Sequence, residues 1–122
     1  MAYKRMGQWI SFEIDISADT KISDECNLGG CFDYMLLEIP TIDTATLTVQ
    51  AVRAVAGTAR NLHITDPADG GDNKLISASG TGAIMWCVPI HGAQYIKLVA
   101  NAAQTADRVF YVRGVDKYLV LK

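Results

Sequence analysis

Three aspartates, Asp66, Asp69 and Asp72, stand in the stretch ITDPADGGDNK (64–74) around a Gly-Gly pair, with Asn73 behind them. Carboxylate and carbonyl oxygens gathered in this way are what a calcium ion takes as ligands. A helix-loop-helix calcium loop needs oxygen ligands at its first, third and fifth positions, glycine at the sixth and a bidentate glutamate at the twelfth. Counted from Asp66, the third position is Ala68, the fifth Gly70 and the twelfth Ser77, so the pattern fails. Turn chemistry accounts for the same residues. Pro67 sets one turn, Asp69-Gly70 favours another, and Asp and Asn side chains bond their own backbone. The segment reads as a polar connection between two strands. An irregular calcium site on Asp66, Asp69 and Asp72 is the alternative, and no cofactor is expected.

Other chemistry has less behind it. The serines at 11, 17, 23, 77 and 79 do not sit in a Gly-x-Ser-x-Gly elbow. Cys87 with His63 or His91 could form a thiol–imidazole pair, but Cys87 lies in an apolar strand, where cysteine behaves as a small hydrophobe. His91 precedes Gly92 and fits a tight turn. Cys26 and Cys31 lack a second ligand pair for zinc. SGTG (79–82) lacks the Gly-Lys-Ser/Thr of a phosphate loop and reads as a hairpin connection. Glu13 and Asp15 read as a solvated strand edge. Trp9 and Trp86, with Tyr3, Tyr34, Tyr95, Tyr111 and Tyr118, suit core packing or an interface, with a sugar-stacking platform as the alternative. No catalytic residue is assigned, and the chain is read as no enzyme.

The elements that would position these groups have a period of two. In WISFEIDI (9–16), Ile10, Phe12, Ile14 and Ile16 share one face and Ser11, Glu13 and Asp15 the other, which is a half-buried antiparallel strand. ATLTVQA (45–51) alternates likewise. Further strands are expected at 22–28, 31–39, 60–65, 74–78, 83–90, 94–100, 108–114 and 117–121. Gly29-Gly30, Pro40 with Asp43, Gly57, the Asp-Gly loop, SGTG and His91-Gly92 are expected to separate them. ANAAQTAD (100–107) is too short for a stable helix and reads as a loop. The fold class is all-β: an antiparallel β-sandwich, jelly-roll-like, with eight to ten short strands and little or no helix. Residues 1–8 are expected to form an N-terminal arm and residues 9–122 a single β-sandwich domain.

Two strands are apolar on both faces. Met35, Leu37 and Ile39 point one way while Tyr34 and Leu36 point the other. Ile84, Trp86, Val88 and Ile90 share a face opposite Met85 and Cys87. Such strands need cover on both sides, and a small sandwich supplies one core. The second face calls for a loop, a pocket or a second subunit, so Tyr34, Leu36, Met85 and Trp86 are candidate contact residues. Lys4 and Arg5, with Trp9 behind them, could reach a neighbouring subunit.

The chain has 122 residues, half of them apolar, and a net charge of -2. It should fold as one core, and it lacks the basic surface that would drive nucleic-acid binding. No apolar run approaches the ~20 residues of a membrane span. MAYKRMGQW is basic but is followed by no apolar signal stretch, so a cytoplasmic product is expected. Three cysteines cannot all pair within one chain; free thiols in a reducing compartment are favoured over a Cys26–Cys31 bridge.

Read in order, LGG (28–30), FDYMLLEIP (32–40), TATLTVQAV (44–52), LHITD (62–66), GAQYIKL (92–98) and QTADRVFYVRG (104–114) form a series. It resembles the small β-sandwich virion proteins encoded in the structural-gene clusters of tailed bacteriophages. The most specific part is Tyr95-Ile96-Lys97-Leu98, Ala106-Asp107-Arg108 and Val112-Arg113. Such proteins often carry a Ser-x-Asp-Gly turn after the Val-Gln strand; here AVRAVAGTARNL (51–62) rebuilds it around Ala56-Gly57. The resemblance implies a non-enzymatic virion protein assembled in the bacterial cytoplasm. Within that class it implies a capsid decoration or cement protein, a homo-oligomer such as a trimer, partnered by the major capsid protein or other virion proteins, with no nucleic acid and no membrane. A tail, neck or fibre-associated protein is the alternative, as is a carbohydrate-binding module for host attachment.

Overall fold

The computed structural model describes residues 2–3, 6–66, 72–116 and 119–120. The elements are β1 (Ala2–Tyr3), β2 (Ile10–Ile14), β3 (Cys26–Asn27), β4 (Tyr34–Val52), β5 (Ala59–Asn61), β6 (His63–Asp66), β7 (Asp72–Leu75), β8 (Ser77–Pro89), β9 (Tyr95–Ala100), β10 (Arg108–Val115) and β11 (Leu119–Val120). No helix occurs among the described residues, and every strand pair is antiparallel. The main sheet runs β2-β10-β4-β9-β3, with β5 and β8 also paired to β4. The expected all-β antiparallel sandwich is the fold.

The strands are not all short. β4 has 19 residues and β8 has 13. Pro40 with Asp43, expected to end one strand, lies inside β4, and SGTG lies inside β8 rather than in a hairpin. The burial pattern explains why. Met35, Leu37 and Ile39 are buried at a period of two, Ile42 and Ala45 follow at a period of three, and Leu47 and Val49 resume the alternation. The register shows the same slip: Thr41 pairs with Gly82 and Ala45 with Gly80, so residues 42–44 oppose Thr81 alone. A surplus on one strand bends it without ending it.

Pro40 is tolerated because no partner is asked of it. The β10 pairing ends at Glu38, and the β8 pairing passes from Ile39 to Thr41. Gly82 has φ +75°, and a Cβ there would run into the carbonyl oxygen of Pro40, so the bend needs glycine at this point.

Beyond the bend, β4 changes partners. Its first half pairs with β10 and its second with β9 and β5, while β8 follows it through both halves. The sheet thereby folds into two layers whose inward faces meet in one cluster, with Phe12, Ile14, Phe110 and Val112 from the β2-β10 layer and Ile96, Leu98 and Ala100 from the β9 layer. Phe12 and Phe110 are cross-strand partners whose rings stack at 5.4 Å.

The bend is fastened by residues 101–107, which form a loop after β9 ends at Ala100. Gln104, only 3% exposed, accepts the Asp43 N–H at 2.9 Å and donates to the Asp43 carbonyl at 3.3 Å. Thr105 donates its N–H and its hydroxyl to Asp43 Oδ2 at 2.7 and 2.8 Å, and Arg108 lies 3.3 Å from the same oxygen. The two Thr105 bonds chiefly hold the Asp43 carboxyl below its ordinary value, with Arg108 adding to them.

Other elements differ in extent. The strand expected at 22–28 shrinks to β3 and an isolated bridge from Ile22 to Val99. The one expected at 60–65 divides into β5 and β6. At the N-terminus, Ala2 and Tyr3 pair with Val120 and Leu119, Met6 bridges Val115, and the Gly7 N–H donates to the Gly114 carbonyl.

Two stability outcomes follow from these contacts. A Cβ on buried Gly114 would meet the ring of Phe32. Gly114→Ala is expected to cost about 1–3 kcal/mol by overpacking, and clearly less in a Phe32→Ala background, as urea unfolding of the four proteins will measure. The Asp43 carboxyl is depressed in the folded state, so its stabilisation is present above the unfolded value of about 4 and is lost as pH falls through the lower folded value. Asp43→Asn should lower Tm at neutral pH, and its difference from the parent should shrink below about pH 4.

Candidate functional site

Two surfaces stand out once the strands are in register. The first is the outward face of β8-β4-β10-β2. Directly paired residues share a face, which gives one row of Met85, Glu38, Tyr111 and Ser11. The next row is Cys87, Leu36 and Arg113, and a third is Pro89, Tyr34 and Val115. Met85 is 55%, Tyr111 47% and Trp9 45% exposed, and Leu36 and Tyr34 are half-buried. The Arg113 guanidinium lies 5.3 Å from the Trp9 ring centroid and its Nε donates to the Gly7 carbonyl at 3.0 Å. That contact fixes an exposed tryptophan at the end of the face.

Of the contact residues expected from sequence, Trp9, Tyr34, Leu36 and Met85 come together here. Trp86 does not: it pairs with Leu37 and packs half-buried against the core from the other face. Lys4 and Arg5 lie outside the described residues. Tyr111 and Arg113 were not singled out, because the first looked like one aromatic among many and the second like one solvated charge; only the β10 register puts them on this face.

The second surface is a cleft of about 890 Å3 at the end of the sandwich away from the bend. Residues from both ends of β4 line it, Cys31 just ahead of the strand and Ala51 to Ala54 at its close. The turn at His91-Gly92, with φ +47° and +89°, forms another wall. It is held by Ile90 and His91 N–H groups donating to the Asp33 carbonyl at 2.9 and 3.1 Å, and by Gly92 N–H donating to the Phe32 carbonyl at 2.7 Å. Both histidines therefore border one opening. The cysteine beside them is Cys31, whereas Cys87, read from sequence as a small hydrophobe and not as a histidine's partner, is exposed on the outward sheet face opposite Leu36. Sequence distance hid this grouping, since the lining comes from four separated segments.

The acidic candidates go elsewhere. Asp66 and Asp72 are direct cross-strand partners at the end of the β6–β7 hairpin, and residues 67–71, with Asp69, lie outside the described residues. Of the stretch 64–74, residues 64–66 belong to β6 and residues 72–74 to β7. Asp15, Asp24 and Asp107 accept the backbone N–H groups of Ser17, Glu13 and Ile16. Burial, and then the neighbouring Asp107, Asp15 and Asp24, push the Glu13 carboxyl upward. Among the described residues no group of three His, Cys, Asp or Glu side chains could hold a metal ion.

With this geometry established, the chain can be set beside known proteins. No family model matches the chain, and no curated protein matches it in sequence. The crystal structure of the SPBc2 prophage-derived protein YomS is similar, with TM-score 0.57 and 18% identity, covering 95% of this chain and 96% of that one. The likeness is one of fold. A chain of the cyanophage Pam1 capsid asymmetric unit aligns at TM-score 0.35 and 18% identity over 98% of this chain and 85% of its own.

No disulfide joins Cys26, Cys31 or Cys87. Burial, then the charge of Asp24, pushes the Cys26 thiol up to about 12, while Cys31 and Cys87 are exposed. The thiolate is the reactive form. A maleimide should therefore label Cys31 and Cys87 in the native protein and reach Cys26 only after denaturation, which mass spectrometry of the adducts will count.

Proposed function

We propose that this chain is a non-enzymatic structural component of a tailed-phage virion, and within the particle a decoration or cement protein seated on the shell. The observation that carries the reading is the outward face of β8-β4-β10-β2. It places Met85, Tyr111 and Trp9 in solvent on a rigid sheet with half-buried Leu36 and Tyr34 between them. Exposed aromatic and methionine side chains on a firm backing are the composition of a contact surface. The end-to-end fold likeness to a prophage-derived protein supports the phage setting. The mechanism is stabilisation by binding: a protein that associates only with the assembled shell shifts its equilibrium towards the intact state. Copies of the chain would meet one another or the shell through this face, a trimer being one closed arrangement. A tail, neck or fibre position would use the same face on a different partner.

Add-back to capsids stripped of accessory proteins tests the reading. The parent chain should bind at fixed stoichiometry and raise the temperature at which the capsids open. Met85→Asp with Tyr111→Asp should keep its own Tm within a few degrees, because both side chains are exposed, and should bind at least about tenfold more weakly. Binding to purified tails but not to capsids would move the protein to the tail. Binding to neither would overturn the proposal.

A further inference from the structure

We propose that the cleft at the open end of the sandwich is a binding site for a small anionic ligand, one that carries a carboxylate or phosphate group, with Arg53 and Arg60 as its principal contacts. The lining holds Arg53, Arg60, His63 and His91 and no aspartate or glutamate. That is a local excess of positive charge in a chain whose carboxylates outnumber its Lys and Arg, 13 to 11. Neither arginine has an ion-pair partner among the described residues. The carboxylate tied to this loop, Glu25, is already engaged, since both its oxygens accept the Ala56 N–H at 3.1 and 3.2 Å.

Arg53 directly follows β4, and the other cationic groups are tied to their surroundings. Arg60 is in β5 directly opposite Ala51, so its side chain shares a face with that lining residue. His63 donates from Nδ1 to the Asn61 carbonyl at 3.3 Å, which orients the ring and leaves Nε2 as its second hydrogen-bonding nitrogen. The His91 backbone is held by Asp33. Leu62, Ile90 and Tyr95 supply apolar wall. A volume of about 890 Å3 lies within the range of small-molecule sites. Apolar walls with a few convergent donors suit a ligand with an apolar body and one charged group, and guanidinium forks match carboxylate and phosphate oxygens.

The charge balance also limits ligand size. A small anion responds to groups within a Debye length of about 8–10 Å, where the two arginines outnumber the Glu25 carboxylate held at the loop. A long polyanion would meet the net negative surface as well.

Backbone amide NMR titration at constant ionic strength, with sodium glucuronate, inorganic phosphate and uncharged glucose as probes, tests the site. The expected result is saturable shifts at residues 53–60 and 91–95 with glucuronate or phosphate and none with glucose. Tighter binding of glucuronate assigns an acidic sugar, and tighter binding of phosphate a phosphorylated ligand. Arg53→Ala with Arg60→Ala should weaken binding at least about tenfold, with amide shifts of the Phe12 and Phe110 strands unchanged. Arg60→Lys should bind more tightly than the double variant. Absence of saturable shifts with both anions, equal shifts with glucose, or undiminished binding in the double variant would overturn the assignment.

Discussion

Everything else in this molecule depends on how one strand bends. β4 enters in one sheet and leaves in the other, and it does so by carrying residues 42–44 against a single residue of β8. The slip keeps inward-facing residues inward on both sides, so that Met35, Leu37 and Ile39 reach the same core as Leu47 and Val49. Buried Gln104 satisfies the backbone of Asp43 at the point where the ladder is interrupted. Unpaired backbone groups at such a point would cost free energy comparable to a lost hydrogen bond each. The clamp of Asp43, Gln104, Thr105 and Arg108 is thus a condition of the bend and not an addition to it.

The two surfaces are consequences of the same bend. Because β4 doubles back, both of its ends arrive at the far end of the sandwich, and the gap between them is the cleft. Because its first half is paired on both sides, by β8 and by β10, the residues that point away from the core stand on a broad sheet. The outward face and the cleft therefore draw on opposite ends of one strand, and a change at the bend would disturb both.

Much of the fold was legible in the chain because the alternation is strict where one face is buried, as in β2 and in the second half of β4. The errors fall where local and tertiary signals conflict. Pro40 and SGTG are breakers by local chemistry, but Pro40 falls where the ladder skips a residue, and Ser79, Gly80 and Gly82 find partners in Thr46, Ala45 and Thr41, so the strand runs through both. The outward apolar residues of β4 and β8 were recognisable from their double-faced pattern, and the alternation also placed Trp86 on the face opposite Met85 and Cys87, where it pairs with Leu37. The cleft could not be read from the chain at all. Its arginines and histidines are unremarkable in sequence, and only the pairing of β5 with β4 and the turn after β8 bring them to one opening.

Strands shared between two sheets also have a mechanical meaning. A sandwich whose sheets are joined only by side-chain packing and surface loops can part layer from layer. Here β4 and β8 carry covalent backbone from one sheet into the other. A pull on the outward face would pass along those two backbones into the second sheet. The ladder bonds on either side of them would be loaded together in shear, so they would have to fail as a group instead of opening one after another. The bend thus makes the two layers a single tension-bearing unit.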